Sequence, residues 1–128
     1  MSQENLEAAR KTMEAYRRRD YAGASAYLAP DVVWSVGQER PAHGPAAVRE
    51  MWDRWDAEWD ELETVVEEII DAGDKVFMAV RYRGRGRVSG VEVNDRQFEV
   101  HTFRDGRCVR KMDFREREEA LEAAGLLE

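Results

Sequence analysis

Apolar positions along the chain keep a helical period first and a two-residue period later. Leu6, Ala9, Met13 and Tyr16 form one stripe at helical spacing, predicting a helix over about residues 4–19. Arg17, Arg18 and Arg19 fall in its last turn, where cations suit the helix dipole. Asp20 is a capping residue for a second short helix, Tyr21 to Leu28, which Pro30 and Asp31 stop. Asp31 to Val36 reads as a short strand and Gly37 to Gly44 as a loop. Pro45 suits the first turn of a third helix, where Val48, Trp52, Trp55 and Trp59 make one apolar stripe.

Beyond Asp60 the period becomes two. Leu62, Thr64, Val66, Glu68 and Ile70 alternate with Glu61, Glu63, Val65, Glu67 and Ile69, which predicts a long strand. After the turn Ala72-Gly73-Asp74, a second strand runs from Lys75 to about Arg87. Gly84, Gly86 and Gly90 suggest a bulge or sharp bend there. A third strand covers Val91 to Arg104. Asp105-Gly106 is a strong hairpin signal before a fourth, Arg107 to Arg115. Glu116 to Ala124 closes the chain as a helix, with Gly125 as its cap. Helices segregated from four long antiparallel strands make an α+β cone.

Composition fits one globular domain over residues 1–128, with 43% hydrophobic and 37% charged residues and no visible linker or repeat. The net charge of −7 argues against nucleic-acid and anionic-membrane partners. The run Arg81-Tyr82-Arg83-Gly84-Arg85-Gly86-Arg87 superficially suggests RNA binding. Its period of two, however, puts the arginines on one strand face, where Glu63 and Glu67 of the preceding acidic strand can pair with Arg81 and Arg83. The apolar runs are too short to span a membrane. The start, Met1 to Asn5, has neither the basic patch nor the apolar stretch of a signal peptide. A lone cysteine, Cys108, allows no intrachain disulfide, so a reducing cytoplasm is the expected compartment. Two histidines on different elements give no nucleus for a metal site, and no Gly-rich loop precedes a helix, so no metal or cofactor is expected.

Several segments in order resemble the SnoaL-like branch of the NTF2-like superfamily. They are Tyr16-Arg17-Arg18-Arg19-Asp20, Leu28-Ala29-Pro30-Asp31-Val32-Val33-Trp34, His43-Gly44-Pro45-Ala46-Ala47-Val48-Arg49, Ile70-Asp71-Ala72-Gly73-Asp74-Lys75-Val76, Phe103-Arg104-Asp105-Gly106-Arg107 and Glu119 to Leu126. The resemblance spans nearly the whole chain. It implies N-terminal helices packed on a curved, mixed or antiparallel sheet, a deep apolar pocket for a small molecule, and a homodimer through the outer sheet face. The superfamily holds isomerases, cyclases, hydrolases and non-catalytic binders. Ketosteroid isomerases of this fold use a strand carboxylate, a helix tyrosine and a protonated strand carboxyl. The matching positions here are Val36, about Thr12 and about His101, and only the last keeps a proton-competent group. An Asp-Arg-Asp set of the epoxide-hydrolase kind does not assemble. SnoaL-type cyclases carry an acid/base aspartate after the last strand, and the match falls at about Glu116.

Three residues are therefore candidates for chemistry. His101, with Glu99 and Phe103 on its strand face, is the proton carrier or oxyanion donor; a neutral core histidine is the alternative. Glu116 is a second acid or base if an apolar pocket raises its pKa, or else a carboxylate favoured by its helix dipole. Tyr16 is an orienting donor or a core phenol. Trp34, Val36, Trp52, Trp55, Trp59, Glu99, Met112 and Phe114 are the expected ligand-binding wall. The functions left open are an acid/base enzyme on an apolar or polyketide-like molecule, a non-catalytic small-ligand binder, and a dimerisation module whose pocket is plugged by side chains such as Trp55 and Trp59.

Overall fold

The first stripe folds as α1 (Ser2–Arg17), in a computed structural model that describes residues 2–127. Asp20 caps α2 (Tyr21–Ser25), accepting a hydrogen bond from the Gly23 amide at 2.9 Å. α2 ends earlier than expected. Leu28 and Ala29, each 2% exposed, are drawn into β1 (Leu28–Trp34) instead. Pro30 offers no amide to a ladder, and the pairing of β1 shifts register between Leu28 and Val33. Ala42–His43, expected as loop, forms a two-residue strand, β2, on the edge beside β1. α3 (Pro45–Ala57) carries the tryptophan stripe but stops before Trp59, which opens β3 (Trp59–Ala72) opposite Gly86.

β3, β4 (Lys75–Gly86), β5 (Glu92–Arg104) and β6 (Arg107–Phe114) pair antiparallel in sequence order. β6 then pairs in parallel with β1, giving a six-stranded mixed sheet ordered β2-β1-β6-β5-β4-β3. Asp105 and Gly106 both take positive φ, 53° and 76°, as a tight hairpin turn requires. α4 (Arg117–Ala123) follows β6. Among the described residues, no helix is long and apolar enough to cross a membrane.

The sheet is covered on both faces. Its inner face carries Val76, Met78, Val80 and Phe103, which pack against Ala9, Met13, Val48 and Trp52 of α1 and α3. Its outer face carries Phe77, Ala79, Phe98 and Val100, which pack under Ala120 of α4 and Ala124 at its C-cap. Burying each large side chain contributes roughly 1.5–3 kcal/mol. Beyond α4 the outer face is polar. Arg81 reaches Glu67 at 2.9 Å and Arg83 reaches Glu63 at 3.3 Å, the cross-strand pairs expected for the arginine run. These half-exposed pairs add little stability, but they occupy the arginines.

Two of the sheet's bulges, at Glu67 and Val109, set which core side chains face inward. Glu67 is an extra residue in β3: Val66 opposes Val80 and Glu68 opposes Ala79. Ile69 therefore joins the inner core, while Glu68 and Ile70 turn outward. Val109 is an extra residue in β6: Phe103 opposes Cys108, but Thr102 opposes Arg110. At the glycine-rich stretch β4 and β5 pair in register from Lys75 to Arg85, but β3 shifts register between Trp59 and Glu61, opposite Gly86 and Arg85. The sharp bend expected there follows directly, with the Gly90 amide donating to the Gly86 carbonyl at 2.9 Å and Gly90 at φ 69°. Gly84 itself permits close approach. A Cβ there would lie 2.5 Å from the Glu61 carbonyl oxygen and 3.1 Å from the Trp59 ring. Gly84→Ala should therefore destabilise the fold by about 1–3 kcal/mol through overpacking. Urea unfolding monitored by tryptophan fluorescence checks this; an unchanged midpoint would show that the strands separate freely there.

Candidate functional site

The inner face leaves a cavity beneath α1 and α3. The centre of a water molecule can occupy about 90 Å³ of it, room on the order of several waters or a small organic molecule. Its walls are aromatic. α1 supplies Tyr16, β1 supplies Trp34, α3 supplies Trp52 and Trp55, and β4 supplies Tyr82. The rings brace one another edge to face: Trp34 and Trp52 at 5.4 Å, Tyr16 and Trp52 at 5.7 Å, Trp55 and Tyr82 at 6.1 Å. Exposed Glu39, Arg54 and Glu58 form the rim.

Polar groups converge on β5 and β6. Glu99 lies opposite Asp113, and His101 lies opposite Lys111. Glu99 Oε2 accepts from the Tyr82 hydroxyl at 2.7 Å, and Oε1 is 2.9 Å from His101 Nε2. An ionised carboxylate only accepts, so His101 Nε2 carries the proton in this pair. The Lys111 ammonium donates to the Ser35 carbonyl at 2.9 Å, lies 2.5 Å from Asp113 Oδ1, and sits 5.1 Å from the Trp34 ring centre. Parallel pairing of Trp34 with Lys111 brings that carbonyl and ring to it. Asp113 Oδ2 accepts from the Gly37 amide at 3.2 Å. Asp113 Oδ1 is buried and, despite its contact with Lys111, accepts no well-aligned hydrogen bond among the described residues.

The two carboxyls are pushed in opposite directions. Burial alone would raise Glu99, but the Lys111 charge, His101 and the Tyr82 hydroxyl together outweigh it and hold the carboxyl well below its usual range. Asp113 is raised, first by burial and then by the Glu99 charge, with Lys111 only partly offsetting them. Burial also raises Tyr16 and Tyr82, so both phenols stay protonated donors. This is an arrangement of one fixed anion, one fixed cation and one carboxyl able to exchange a proton.

The structure brings six expected residues together at the cavity: Tyr16, Trp34, Val36, Trp52, Trp55 and Glu99. Other expectations need correction. His101 is on the inner face but lies behind Glu99, 1% exposed with its ring against Trp34, and is not part of the wall. Glu116 is exposed at the N-terminus of α4, which covers the outer face, so it does not meet His101 in one cavity. Met112 and Phe114 turn outward opposite Val100 and Phe98, because the Val109 bulge flips the strand. Trp59 packs edge to face on Trp55, ring centres 5.2 Å apart, outside the cavity lining. Trp55 is a wall with open space beside it, so neither indole plugs the pocket. Tyr82, Lys111 and Asp113 were missed. The alternation of charged Lys111 and Asp113 with apolar Met112 and Phe114 is visible in the sequence, but apolarity alone assigns Met112 and Phe114 to the inner face. Among the described residues, no three or more His, Cys, Asp or Glu side chains cluster as metal ligands.

The mixed sheet, the three helices on its inner face and the enclosed aromatic cavity define an NTF2-like α+β cone. Residues 9–111 match the SnoaL-like domain, and the chain belongs to that family. An NTF2-like protein of unknown function from Burkholderia pseudomallei K96243 shares 25% identity over 93% of this chain and 95% of its own, with a TM-score of 0.80. A candidate polyketide cyclase from Xanthomonas campestris pv. campestris shares 20% identity over 95% and 97% of the two chains, with a TM-score of 0.75. AclR, a candidate hydroxylase from Streptomyces galilaeus, shares 18% identity over 100% of both chains, with a TM-score of 0.74. The last two bear on the fold alone. No protein of curated function matches the chain.

Glu99→Gln should destabilise the protein on the order of 3 kcal/mol near neutral pH, because Lys111 and His101 lose their buried anion. The Glu99 carboxyl is lowered in the fold, so its contribution is full above the unfolded value of about 4.3 and fades as pH falls through the folded value. The gap between wild type and variant should shrink from about pH 7 to about pH 3 in urea titrations. A constant gap would show that the charge of Glu99 is not what stabilises the fold.

Proposed function

We propose that this protein is an acid/base enzyme acting on a small, flat, largely apolar carbonyl compound, with Asp113 as the proton carrier. The observation that carries this reading is Asp113 Oδ1: a buried acceptor in an aromatic cavity, without a well-aligned hydrogen bond, on a carboxyl raised by burial. A carbonyl substrate between the indoles would give Oδ1 a proton from the carbon next to its C=O. The electron pair of the broken C–H bond moves to the carbonyl oxygen, where the protonated Tyr16 phenol and the Lys111 ammonium offset the developing charge. Returning the proton to another position, or letting the enolate attack a second carbonyl, gives isomerisation or cyclisation from the same half-reaction. The likeness in fold to a candidate polyketide cyclase is consistent with that chemistry.

His101 takes a different place from the one the sequence suggested. Held by Glu99 and by the Trp34 ring, it acts as a positioning residue for Glu99, which in turn holds Tyr82. The competing reading is a binder without turnover, which the aromatic wall alone would also support.

Deuterium exchange at the activated CH₂ of 2-tetralone, followed by proton NMR, separates the two. The wild type should accelerate exchange, and Asp113→Asn should lose about 10²–10⁴-fold of that acceleration. The rate should climb with pH through a value above the ordinary aspartate value of about 3.9, since the base works only when ionised and its folded pKa is raised. Thermal stabilisation by 2-tetralone with no exchange, or equal exchange in Asp113→Asn, would reject Asp113 as the base.

A further inference from the structure

We propose that Lys111 is also a covalent site, forming an imine with aldehydes or ketones that enter the cavity. The inference deepens the carbonyl reading above and shares its cavity, but it needs no turnover.

The choice of residue is the first ground. Of the 20 basic residues, three are lysines (Lys11, Lys75 and Lys111) and the other 17 are arginines. Arginine is the better partner for a buried ion pair, because its planar fork satisfies more acceptors and does not deprotonate. This chain uses it at nearly every exposed pair. At the one buried, cavity-lining basic position it has lysine, 3% exposed. Lysine at such a place gives something arginine cannot, a primary amine able to act as a nucleophile.

The surroundings are the second ground. Asp113 Oδ1 is 2.5 Å from Nζ, close enough to take a proton from it directly. Both side chains are nearly buried, 4% and 7% exposed, and an ion pair taken out of bulk water loses much of its advantage over its neutral form. Glu99 and His101 also face Lys111 across the β5–β6 ladder, and the Lys111 charge helps hold Glu99 ionised. Among the described residues, Asp113 is the carboxyl in ion-pair contact with Lys111 and so the one placed to hold the transferred proton. The Ser35 carbonyl continues to accept one N–H of the amine and keeps it placed beneath Trp34.

The step balances within the pair. Nζ gives a proton to Asp113, and its lone pair adds to the carbonyl carbon while the C=O π electrons move to oxygen. Asp113 protonates that oxygen, then removes a proton from nitrogen. It finally returns this proton as the C–O bond breaks and water leaves. The products are a protonated imine on Lys111, an ionised Asp113 and one water. The imine nitrogen is then a stronger electron sink than the carbonyl oxygen it replaced, and Asp113 is again available for the neighbouring C–H proton.

Reductive trapping of the full-length protein tests this. 2-Naphthaldehyde with cyanoborohydride should add one naphthylmethyl group. Peptide mapping should place it on Lys111, formed about tenfold faster than on exposed Lys11 or half-exposed Lys75. Excess 2-naphthalenemethanol, which has the same ring system and no carbonyl, should protect Lys111 and leave Lys11 and Lys75 unaffected. Lys111→Arg should lose the adduct; because trapping is mapped on the wild type, the result stands even if that variant folds poorly. Labelling confined to Lys11, Lys75 or the α-amine overturns the proposal, as does Lys111 labelling that the alcohol does not slow. Thermal stabilisation by the alcohol without a Lys111 adduct overturns the imine alone and leaves the acid/base reading standing. No stabilisation by either compound, with no adduct, counts against both.

Discussion

A lysine ammonium buried beneath an indole is the constraint around which the interior is arranged. Removing such an ion from water costs several kcal/mol unless anions and acceptors replace the lost hydration. Here the replacements come from three separated stretches: Trp34 and Ser35 at the end of β1, Glu99 in β5 and Asp113 in β6. Each depends on a feature of the fold. The parallel pairing of β1 with β6 brings Ser35 and Trp34, and the Val109 bulge turns Lys111 and Asp113 inward to face His101 and Glu99. The helices then seal the ion from solvent and bring three of the ring walls.

One cation shared by two carboxyls cannot satisfy both equally. Glu99 has two further partners, Tyr82 and His101, while Asp113 has one amide of a neighbouring loop. That asymmetry in hydrogen bonding separates the two proton affinities. It also explains why the buried histidine is not itself at the cavity surface. Its ring nitrogen helps keep Glu99 ionised, which keeps the Lys111 charge compensated when Asp113 is protonated.

Most of the fold was legible because local signals agreed: the stripes of α1 and α3, the Asp20 cap, the Asp105-Gly106 turn and the switch to period two. Boundaries failed where tertiary pairing overrode local preference, as at Leu28, which left a predicted helix for the sheet, and Trp59, whose helical spacing yielded to pairing with Gly86. The site was half legible. The aromatic wall followed from composition and spacing, but the polar floor did not. Counting from a two-residue turn without a bulge puts His101 opposite Arg110 and Glu99 opposite Met112, which brings Met112 and Phe114 inward. A single inserted residue reverses that whole set. Val109 carries no glycine or proline to announce it, whereas Gly86 and Gly90 do announce the sharp turn that ends β4.

The same bulge couples the site to the far side of the sheet. Turning Lys111 and Asp113 inward necessarily turns Met112 and Phe114 outward, where two large apolar side chains would otherwise face water. α4 provides cover for that face. Phe114 joins the outer cluster with Phe98 and Val100, and Ala120 and Ala124 close over it. Small residues at those two helix positions let α4 lie close to the sheet, and Arg117 anchors its start to Glu68, which the other bulge has turned outward. The C-terminal helix contributes no side chain to the cavity wall. It nonetheless stabilises the strand parity that puts a lysine and an aspartate inside, so the cavity chemistry depends on packing on the opposite face of the sheet.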